Sequence, residues 1–390
     1  MSKDCKCIYT DIGLSTQNGG YVSVCNQSRN SFQHSDGNYI TLDRYTLTDA
    51  WNSPTRHEIK TALDSGIQHP NCQDCWDEEA AGRDSKRVMI NRGLAHVQPR
   101  EDQPLALMLK PGNLCNLACR HCGPFSSSRW MRDFYKIEAR EPDWLTYTSQ
   151  FSGIQDSYAA DNPVWQEMCR WAPGINFYEL YGAEPMLIDP LWEVIKTSSH
   201  SAGGPRTNLN INTNGTILRA DTEDIFRNFH RVVLGISVDA IGDRFEYMRY
   251  PARWDQLLAN LDAYQDMAAR LGNINISISA TVSALNIYYA DELWQFFHDR
   301  GLSVGFNILH RPSHLNMRIL PSAVKQQVAD RLNSSGTPAQ SLVPMMMSPW
   351  SQPQQQLLDF WVITEGYDRI RRQSYQDTFP EMFKILAESR

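Results

Sequence analysis

The sequence lacks several features that would assign it to a common class of protein. It has no apolar run of about 20 residues, the length a membrane-spanning helix needs, and residues 1–10 lack the layout of a secretion signal. It also lacks a positive balance, since 37 Lys and Arg against 44 Asp and Glu give a net charge of −7. Nucleic-acid binding needs a positive surface. We therefore expect a cytoplasmic protein with no membrane segment and no nucleic-acid partner.

Cysteine, in contrast, is plentiful, with nine in 390 residues. In a reducing compartment such a set more often binds metal or takes part in catalysis than forms disulfides. All but Cys169 lie within the first 122 residues. The spacing of these cysteines is therefore the main clue to function, and the chain length leaves room for one large or two ordinary domains.

From Leu105 onward, short apolar runs alternate with longer amphipathic stretches, as in an α/β protein. The candidate strands are Leu105–Leu109, Asn176–Leu180, Leu209–Asn212, Val232–Ser237, Ile274–Thr281 and Val304–Leu309. The candidate helices between them include Leu191–Thr197, Asp221–Phe229, Trp254–Leu271 and Ala290–Arg300. This alternation predicts a parallel sheet with right-handed crossovers. Six units are fewer than the eight of a full barrel, so a partial barrel and an open doubly wound sheet both fit.

Composition divides the chain into four segments. They are a small, loop-rich α+β domain over 1–92, a linker over 93–104, the sheet domain over 105–320 and a helical extension over 321–390. In the first segment we expect helices to begin near Thr48 and at Ser53-Pro54. We expect residues 141–165 to be an irregular insertion. Prolines at 344, 349 and 353 are expected to break the helices of the extension.

Three cysteines follow directly on the first predicted strand with the spacing C-x3-C-x2-C: Cys115, Cys119 and Cys122. Three thiolates on one tight loop can hold three corners of a cubane iron–sulfur cluster, whereas four cysteines saturate it. With no fourth cysteine nearby, one iron is left open to another ligand, as in catalytic metal sites. The alternatives are a zinc site with a distant fourth ligand and three unrelated thiols.

This loop, in its place after the first strand, resembles that of the radical S-adenosylmethionine (SAM) enzymes, and the resemblance extends over about residues 105–310. It implies a partial (β/α)6 TIM barrel with a [4Fe–4S] cluster on Cys115, Cys119 and Cys122. In that family the open iron binds SAM, and an electron from the cluster cleaves SAM to methionine and a 5′-deoxyadenosyl radical. The radical abstracts a substrate hydrogen. A flavodoxin or ferredoxin type of donor would supply the electron.

Further motifs carry the resemblance strand by strand. Tyr181-Gly-Ala-Glu-Pro185 is similar to the family's G-G-E-P motif, with Ala183 in place of the second glycine. Asn212-Thr-Asn-Gly215 ends the third strand, where an amide and a tight turn can bind ribose hydroxyls. Ile236–Ala240 is similar to the S-x-D segment. The resemblance implies that the residues around SAM are Gly182, Glu184, Asn212, Asn214, Ser237, Asp239, Arg249, which would pair with the SAM carboxylate, and His121, which would pack on adenine.

A second set of cysteines, Cys7, Cys25, Cys72 and Cys75, precedes the barrel segment. Four thiolates can saturate one [4Fe–4S] cluster or one zinc ion, and both sites use soft ligands. The spacing is similar to that of the twitch or SPASM modules, which implies an auxiliary [4Fe–4S] cluster, with zinc as the alternative. Cys5 could replace Cys7. Cys169 is interpreted as a buried thiol, or alternatively as a ligand or a thiol near the substrate.

The leading hypothesis is a radical SAM oxidoreductase with two iron–sulfur clusters. In twitch and SPASM families, net oxidation of the substrate is common and peptide modification is its most frequent form, so the resemblance gives a peptide as the candidate substrate. A non-catalytic protein with a degenerate barrel, recruiting a partner through its metal cluster, is the alternative. A zinc enzyme is the third hypothesis, and the chain lacks the H-E-x-x-H pattern that would favour it.

Overall fold

The computed structural model describes residues 7–15, 22–25, 28, 30–42, 44–95, 97–98, 100–110, 112–124, 126–138 and 160–388. Cys5 and most of the predicted insertion at 141–165 lie outside these residues. The chain divides into two compact units. The first unit is Met1–Leu114, Gly153–Ile211 and Arg219–Val233, and the second unit is Cys115–Ser152, Asn212–Leu218 and Leu234–Arg390.

The secondary structure alternates strands and helices over most of its length. The strands are β1 (Asp11–Ser15), β2 (Val22–Ser23), β3 (Ala106–Lys110), β4 (Phe177–Leu180), β5 (Asn208–Thr213), β6 (Arg231–Ser237), β7 (Ile274–Val282) and β8 (Ser303–Ile308). The helices are α1 (Cys7–Thr10), α2 (Leu47–Trp51), α3 (Pro54–Asp64), α4 (Gln73–Ala80), α5 (Lys86–Gly93), α6 (Ser128–Glu138), α7 (Pro163–Trp171), α8 (Asp189–Ser199), α9 (Thr222–Phe226), α10 (Gly242–Met248), α11 (Trp254–Leu271), α12 (Ala290–His298), α13 (Ser322–Ser334), α14 (Val343–Met347), α15 (Pro353–Arg371), α16 (Tyr375–Thr378) and α17 (Pro380–Ala387).

The predicted mixed α/β class is confirmed. All six predicted strands form, as β3 to β8, with ends within one residue of the expected positions, and the predicted helix Trp254–Leu271 is α11. β3 pairs with β4, β4 with β5, and β7 with β8, and each of these pairs is parallel. Right-handed crossovers and closure into a partial barrel stay predictions.

In the first unit the strand order is β2-β1-β3-β4-β5. The register places Ala106 opposite Phe177, and Phe177 opposite Asn208. Because side chains alternate across a strand, one face of β3 to β5 is formed by every second residue. On the face formed by Leu107, Tyr178 and Leu209, these side chains have no exposed surface, so that face is fully packed.

The boundary predicted at residue 92 does not coincide with a boundary between the units. β1 pairs in parallel with β3 over five residues, from Asp11 opposite Ala106 to Ser15 opposite Lys110. Glu167 on α7 also accepts hydrogen bonds from the Leu47 N–H (2.7 Å) and from the Thr48 hydroxyl (2.9 Å). The N-terminal segment therefore belongs to the same compact unit as β3, β4 and β5.

Local signals explain where several helices begin, and they correct some predictions. Ser53 caps α3 and Pro54 follows it, as predicted. α2 begins at Leu47, within one residue of the predicted start near Thr48, and the Thr46 side chain accepts the Asp49 N–H and completes a capping box. Prolines 344 and 353 lie in the first turns of α14 and α15. They begin helices instead of breaking them, because first-turn N–H groups have no partner within the helix.

Strands β6, β7 and β8 are neighbours in that order, and the part of β6 from Leu234 belongs to the second unit. The extension after residue 320 shares this unit's core. Phe379, with no exposed surface, lies 5.2 Å from Tyr247 and 5.7 Å from Tyr289 between ring centroids. Aromatic pairs at this spacing stabilise beyond their buried area. The extension is therefore part of the core of the second unit.

Within the part of the chain that the structure describes, no helix is long and apolar enough to cross a membrane.

We expect Phe379→Ala to lower the free energy of unfolding by about 3–5 kcal/mol, because it leaves a cavity among packed aromatic rings. Thermal unfolding followed by circular dichroism measures the change. Leu358→Ala is the control, since Leu358 is 60% exposed on α15 and its truncation should change stability by less than about 0.5 kcal/mol. Equal effects of the two substitutions would show that the extension does not share the core.

Candidate metal-cluster site

The three-cysteine loop is held by the backbone of the segment around α10. The Ala118 N–H donates to the Tyr250 carbonyl (2.6 Å), and the Arg120 N–H donates to the Met248 carbonyl (2.8 Å). A bond from the Cys122 N–H to the Cys119 carbonyl (3.0 Å) closes the turn between the last two cysteines. The loop therefore has a fixed backbone even though it is neither helix nor strand.

The three thiols differ in their surroundings. Cys119 donates a hydrogen bond to Cys122, which raises the pKa of Cys119 and lowers the pKa of Cys122. The sulfur of Cys115 accepts from the Leu117 N–H (3.4 Å) and from the Asn214 side-chain amide (3.9 Å). N–H groups directed at sulfur favour the thiolate, which is the form that ligates metals. The donors at Cys115 therefore suit a group bound through its thiolate.

A buried charged pair lies beside this loop at the end of β6. The Oδ1 atom of Asp239 accepts from Arg249 Nη2 (3.0 Å) and from the Thr281 N–H (2.8 Å). Arg249 Nε is 2.8 Å from the other carboxylate oxygen, and His121 Nδ1 is 3.5 Å from that same oxygen. Burial lowers the pKa of His121, with Asp239 acting in the opposite direction. The imidazole is therefore neutral near pH 7.

This pair keeps unused hydrogen-bonding capacity. His121 Nδ1, Asp239 Oδ2 and Arg249 Nε are buried, and none has a partner of good hydrogen-bond geometry among the described residues. Buried polar atoms in folded proteins are nearly always hydrogen-bonded. The three atoms belong to residues that the sequence predicted around SAM, so the structure brings those residues together next to Cys119.

The Asn-Gly turn after β5 supports the loop from the other side. The Asn214 amide donates to Asn116 Oδ1 (2.8 Å), and its oxygen accepts from the Thr216 N–H (2.9 Å). Asn116 in turn donates to the Thr216 hydroxyl (2.8 Å). Asn214 therefore ties the turn to the residue after Cys115. Its predicted contact with ribose stays a prediction.

Two other predicted residues lie at strand ends in the second unit. Asn212 is exposed near the end of β5, and Ser237 is half-buried as the last residue of β6. Both positions follow from the parallel order of the strands, since the carboxyl ends of parallel strands carry the functional loops. Their roles around SAM stay predictions.

Arg120 holds the loop to the C-terminal extension, and sequence reasoning missed it. Its guanidinium carbon lies 3.6 Å from the ring centroid of Tyr247, and its Nη2 atom is 2.5 Å from the Asp368 carboxylate. The same nitrogen donates to Gln373 (3.0 Å). Only 2% of the Arg120 side chain is exposed. A buried guanidinium with these partners fixes the position between Cys119 and Cys122.

The motif similar to G-G-E-P lies in the first unit, after β4. Gly182 has φ +71°, and a Cβ there would lie 2.6 Å from Lys110 Cγ. Ala183 has φ +54°, a left-handed conformation that costs an L-residue about 1–2 kcal/mol and a glycine almost nothing. Glu184 is fully buried and accepts from the Met186 N–H (3.1 Å). Ala183 therefore keeps the left-handed backbone that a glycine would adopt, and this conformation costs free energy of folding.

The four N-terminal cysteines of the predicted auxiliary site also lie in the first unit. α1, which carries the buried Cys7, packs against α5. Burial raises the pKa of Cys75, in the first turn of α4, although it accepts hydrogen bonds from α5 at the Arg87 N–H and from the Ser85 side chain. Cys72 precedes α4, and Cys25 is half-buried beyond β2. A shared ligand for the four thiols stays a prediction.

The last cysteine, Cys169, contacts a neighbouring helix. Cys169 is half-buried on α7 and accepts from the Thr197 hydroxyl of α8 (3.9 Å). This contact suits the interpretation as a packed thiol.

Among the residues that the structure describes, no three His, Cys, Asp or Glu side chains are grouped as one metal ion would need.

Comparison with known proteins gives weak likenesses. No protein-family model matches the chain, and no curated protein matches it. Native anSMEcpe with bound AdoMet is 14% identical, over 59% of this chain and 60% of that chain, with a TM-score of 0.39. Streptococcus suis SuiB bound to S-adenosylmethionine is 15% identical, over 83% and 68%, with a TM-score of 0.37. The chain thus spans 60% of the length of anSMEcpe. Likenesses at this level do not establish a shared activity.

We expect Gly215→Ala to destabilise the protein by about 2–4 kcal/mol. Its φ is +72°, and a Cβ there would lie 2.7 Å from Ile236 Cγ2 and 2.8 Å from Leu257 Cδ1, so the substitution adds overpacking to backbone strain. Gly272→Ala is the matched control, because Gly272 has the same φ with nothing within 4 Å. It should cost about 1 kcal/mol. Thermal melts that rank the two variants the other way would contradict the packing of this turn.

We expect Asp368→Asn to lower the free energy of unfolding by about 3 kcal/mol, because it leaves the Arg120 charge buried without its carboxylate. Chemical denaturation measures the effect. The same change at Asp84, whose partner Arg92 is 69% exposed, should cost less than about 1 kcal/mol. An Asp368 variant as stable as the Asp84 variant would remove Arg120 as the anchor of the loop.

Proposed function

We propose that the chain is a radical SAM enzyme with two iron–sulfur clusters. Cys115, Cys119 and Cys122 would hold a catalytic [4Fe–4S] cluster through three of its irons. When bound, this cluster supplies the electron that cleaves SAM to methionine and a 5′-deoxyadenosyl radical, which takes a hydrogen from the substrate. The reaction would be a net oxidation or a peptide modification, with the radical SAM oxidoreductases as the enzyme class.

One observation carries the proposal: three thiols lie on a single loop whose backbone is fixed, and one of the sulfurs, that of Cys115, receives N–H donors. Leu117 and Asn214 donate to Cys115, and the loop backbone donates to Tyr250 and Met248. Fixed ligands and hydrogen bonds to sulfur are the features by which a protein tunes an iron–sulfur cluster. Three thiolates leave one iron open, as a site for SAM requires.

The residues beside the loop suit the polar end of SAM. Asp239 and Arg249 form a buried pair whose Oδ2 and Nε atoms lie 2.8 Å apart, and neither atom makes a hydrogen bond of good geometry among the described residues. A carboxylate is the usual partner of a guanidinium, and an ammonium group is a usual partner of a carboxylate. We place Arg249 near the SAM carboxylate and Asp239 beside the polar end of SAM. His121 would pack as a neutral ring against adenine.

The remaining predicted residues also have roles toward SAM in this proposal. Glu184 and Gly182 would bind its amino group through the strained turn after β4, and the left-handed φ of Ala183 supports that backbone role. Asn212, Asn214 and Ser237 would bind the ribose from the ends of β5 and β6.

The auxiliary cluster belongs to the same proposal. Cys7, Cys25, Cys72 and Cys75 would close a second [4Fe–4S] cluster, with zinc as the alternative occupant. Closure by four thiolates favours electron transfer over direct binding of the substrate. An electron acceptor of this kind fits a net oxidation, in which hydrogen abstraction is followed by loss of one electron.

A non-catalytic recruitment protein is the second candidate, because Arg120 ties the loop rigidly to the C-terminal extension, and a rigid metal module also suits a docking role. Decay of an enzyme into a binding protein usually removes cluster ligands. All three cysteines of the loop are present here.

Anaerobically reconstituted protein should contain about eight irons per chain, four from each [4Fe–4S] cluster. With dithionite and SAM it should release 5′-deoxyadenosine, measured by chromatography. Replacing Cys115, Cys119 and Cys122 together by Ala should remove about four irons and abolish the product. Cys169→Ala is the control and should change neither value.

The iron count and the product separate the candidates. A triple variant that still forms 5′-deoxyadenosine would overturn the catalytic assignment. Full iron content without any SAM cleavage would favour the recruitment protein. If the triple variant binds zinc and no iron, the N-terminal cysteines form a zinc site.

A further inference from the structure

A cavity of about 530 Å³ in the first unit has no cysteine in its lining. It is lined by α5 and by alternate residues of β3, β4 and β5. The register aligns Met108, Glu179 and Asn210 in one row across the three strands. The neighbouring row, Ala106, Phe177 and Asn208, lines the same cavity. The volume suits an organic molecule rather than a single ion.

One wall of the cavity carries opposite charges. Lys86, in the first turn of α5, reaches the strands and places its Nζ atom 3.4 Å from Glu179 Oε2 and 3.1 Å from Met108 Sδ. The side chains are 15% and 27% exposed, so water screens the pair only in part. A carboxylate accepts about four hydrogen bonds, and one long bond from Lys86 leaves room for a ligand's donors.

A buried acceptor lies in the same wall. Asn208 Oδ1 is shielded from solvent and has no hydrogen-bond partner among the residues described. A buried carbonyl oxygen without a donor costs about 1–3 kcal/mol, so a turn of the Asn208 amide that brings this oxygen to a ligand N–H is favourable. Glu179 and Asn208 lie on neighbouring strands and line the cavity together.

Apart from Asn210 and Gly93, the rest of the lining is apolar. Met89 and Ile90 of α5, and Leu94 directly after it, line the cavity together with Phe177 of β4. A purely apolar ligand would cover the charged wall and would leave it without hydrogen bonds, which is costly. A purely polar ligand would gain nothing from Phe177 and Leu94. The lining therefore favours a molecule with a charged end and an apolar body.

We infer that this cavity binds a zwitterionic amino acid with a large apolar side chain. The ammonium group would donate to Glu179 and to Asn208 Oδ1, and the carboxylate would lie beside Lys86. The side chain would pack between Leu94 and Phe177. No cluster ligand contributes to this site, so the inference stands apart from the proposed function and can fail without it.

L-phenylalanine is the probe for this site, and isothermal titration calorimetry on the full chain measures its binding. We expect saturable binding with one molecule per chain. N-acetyl-L-phenylalanine lacks the ammonium group and L-phenylalaninamide lacks the carboxylate, so each should bind about tenfold more weakly, as expected for one lost charge-assisted hydrogen bond. Adenosine tests a different class of ligand and should not compete.

Three variants locate the binding. Glu179→Gln should weaken L-phenylalanine binding about tenfold, whereas the same change at the exposed Glu193 of α8 should have no effect. Asn208→Leu should weaken binding and yet leave the melting temperature of the free protein unchanged or higher, because it removes a buried acceptor that has no partner. A role of Asn208 in folding alone would instead lower the melting temperature.

Several outcomes would overturn the inference. They are equal binding of N-acetyl-L-phenylalanine and L-phenylalanine, competition by adenosine, a Glu179→Gln variant that binds as the parent does, and no saturable binding up to millimolar probe. The triple variant of the cluster cysteines should bind L-phenylalanine unchanged. Loss of iron and of product with retained binding would overturn the proposed function and leave this site standing.

Discussion

The second unit depends on one buried cation, the guanidinium of Arg120. It lies between two cysteines of the loop in sequence and against Tyr247 and Asp368 in space. Burying a charge is costly, so it is tolerated only where the carboxylate, carbonyl and amide partners are all in place. The loop can therefore adopt its position only when α10 and α15 are both folded. The geometry of the thiols is thus coupled to the packing of the C-terminal extension.

The same coupling explains why the candidate site needs so little regular structure of its own. The loop takes its backbone hydrogen bonds from Met248 and Tyr250, and the Trp130 indole donates to the Cys119 carbonyl (3.0 Å). Loops that carry function are usually positioned by a rigid scaffold. Here the scaffold includes residues far apart in sequence, and Asp239 and Arg249 bring opposite charges to its edge.

Much of the fold could be predicted from the sequence, because the strands β3 to β8 are short apolar runs separated by amphipathic helices. The three-cysteine loop was also evident from spacing alone. The partners of Arg120 were not, since Asp368 is 248 residues away and no local pattern links them. β1 was missed because Asp11–Ser15 is short and has no clear alternation, and its pairing with β2 and β3 makes it a strand. Pro344 and Pro353 lie in the first turns of their helices, which shows that proline interrupts a helix only when it lies beyond the first turn.

The position of β1 has a consequence for how the chain comes to be folded. β1 lies beside β3, and about ninety residues separate the two strands along the chain. A parallel pair with so wide a separation forms late, because the entropy of closing a long loop is lost before any contact between the strands offsets it. Until then the edge of β3 is open to other strands, and an unpaired edge is a template for aggregation. β1 thus protects the edge of β3 by pairing with it. A chain without β1 would leave the edge of β3 unpaired.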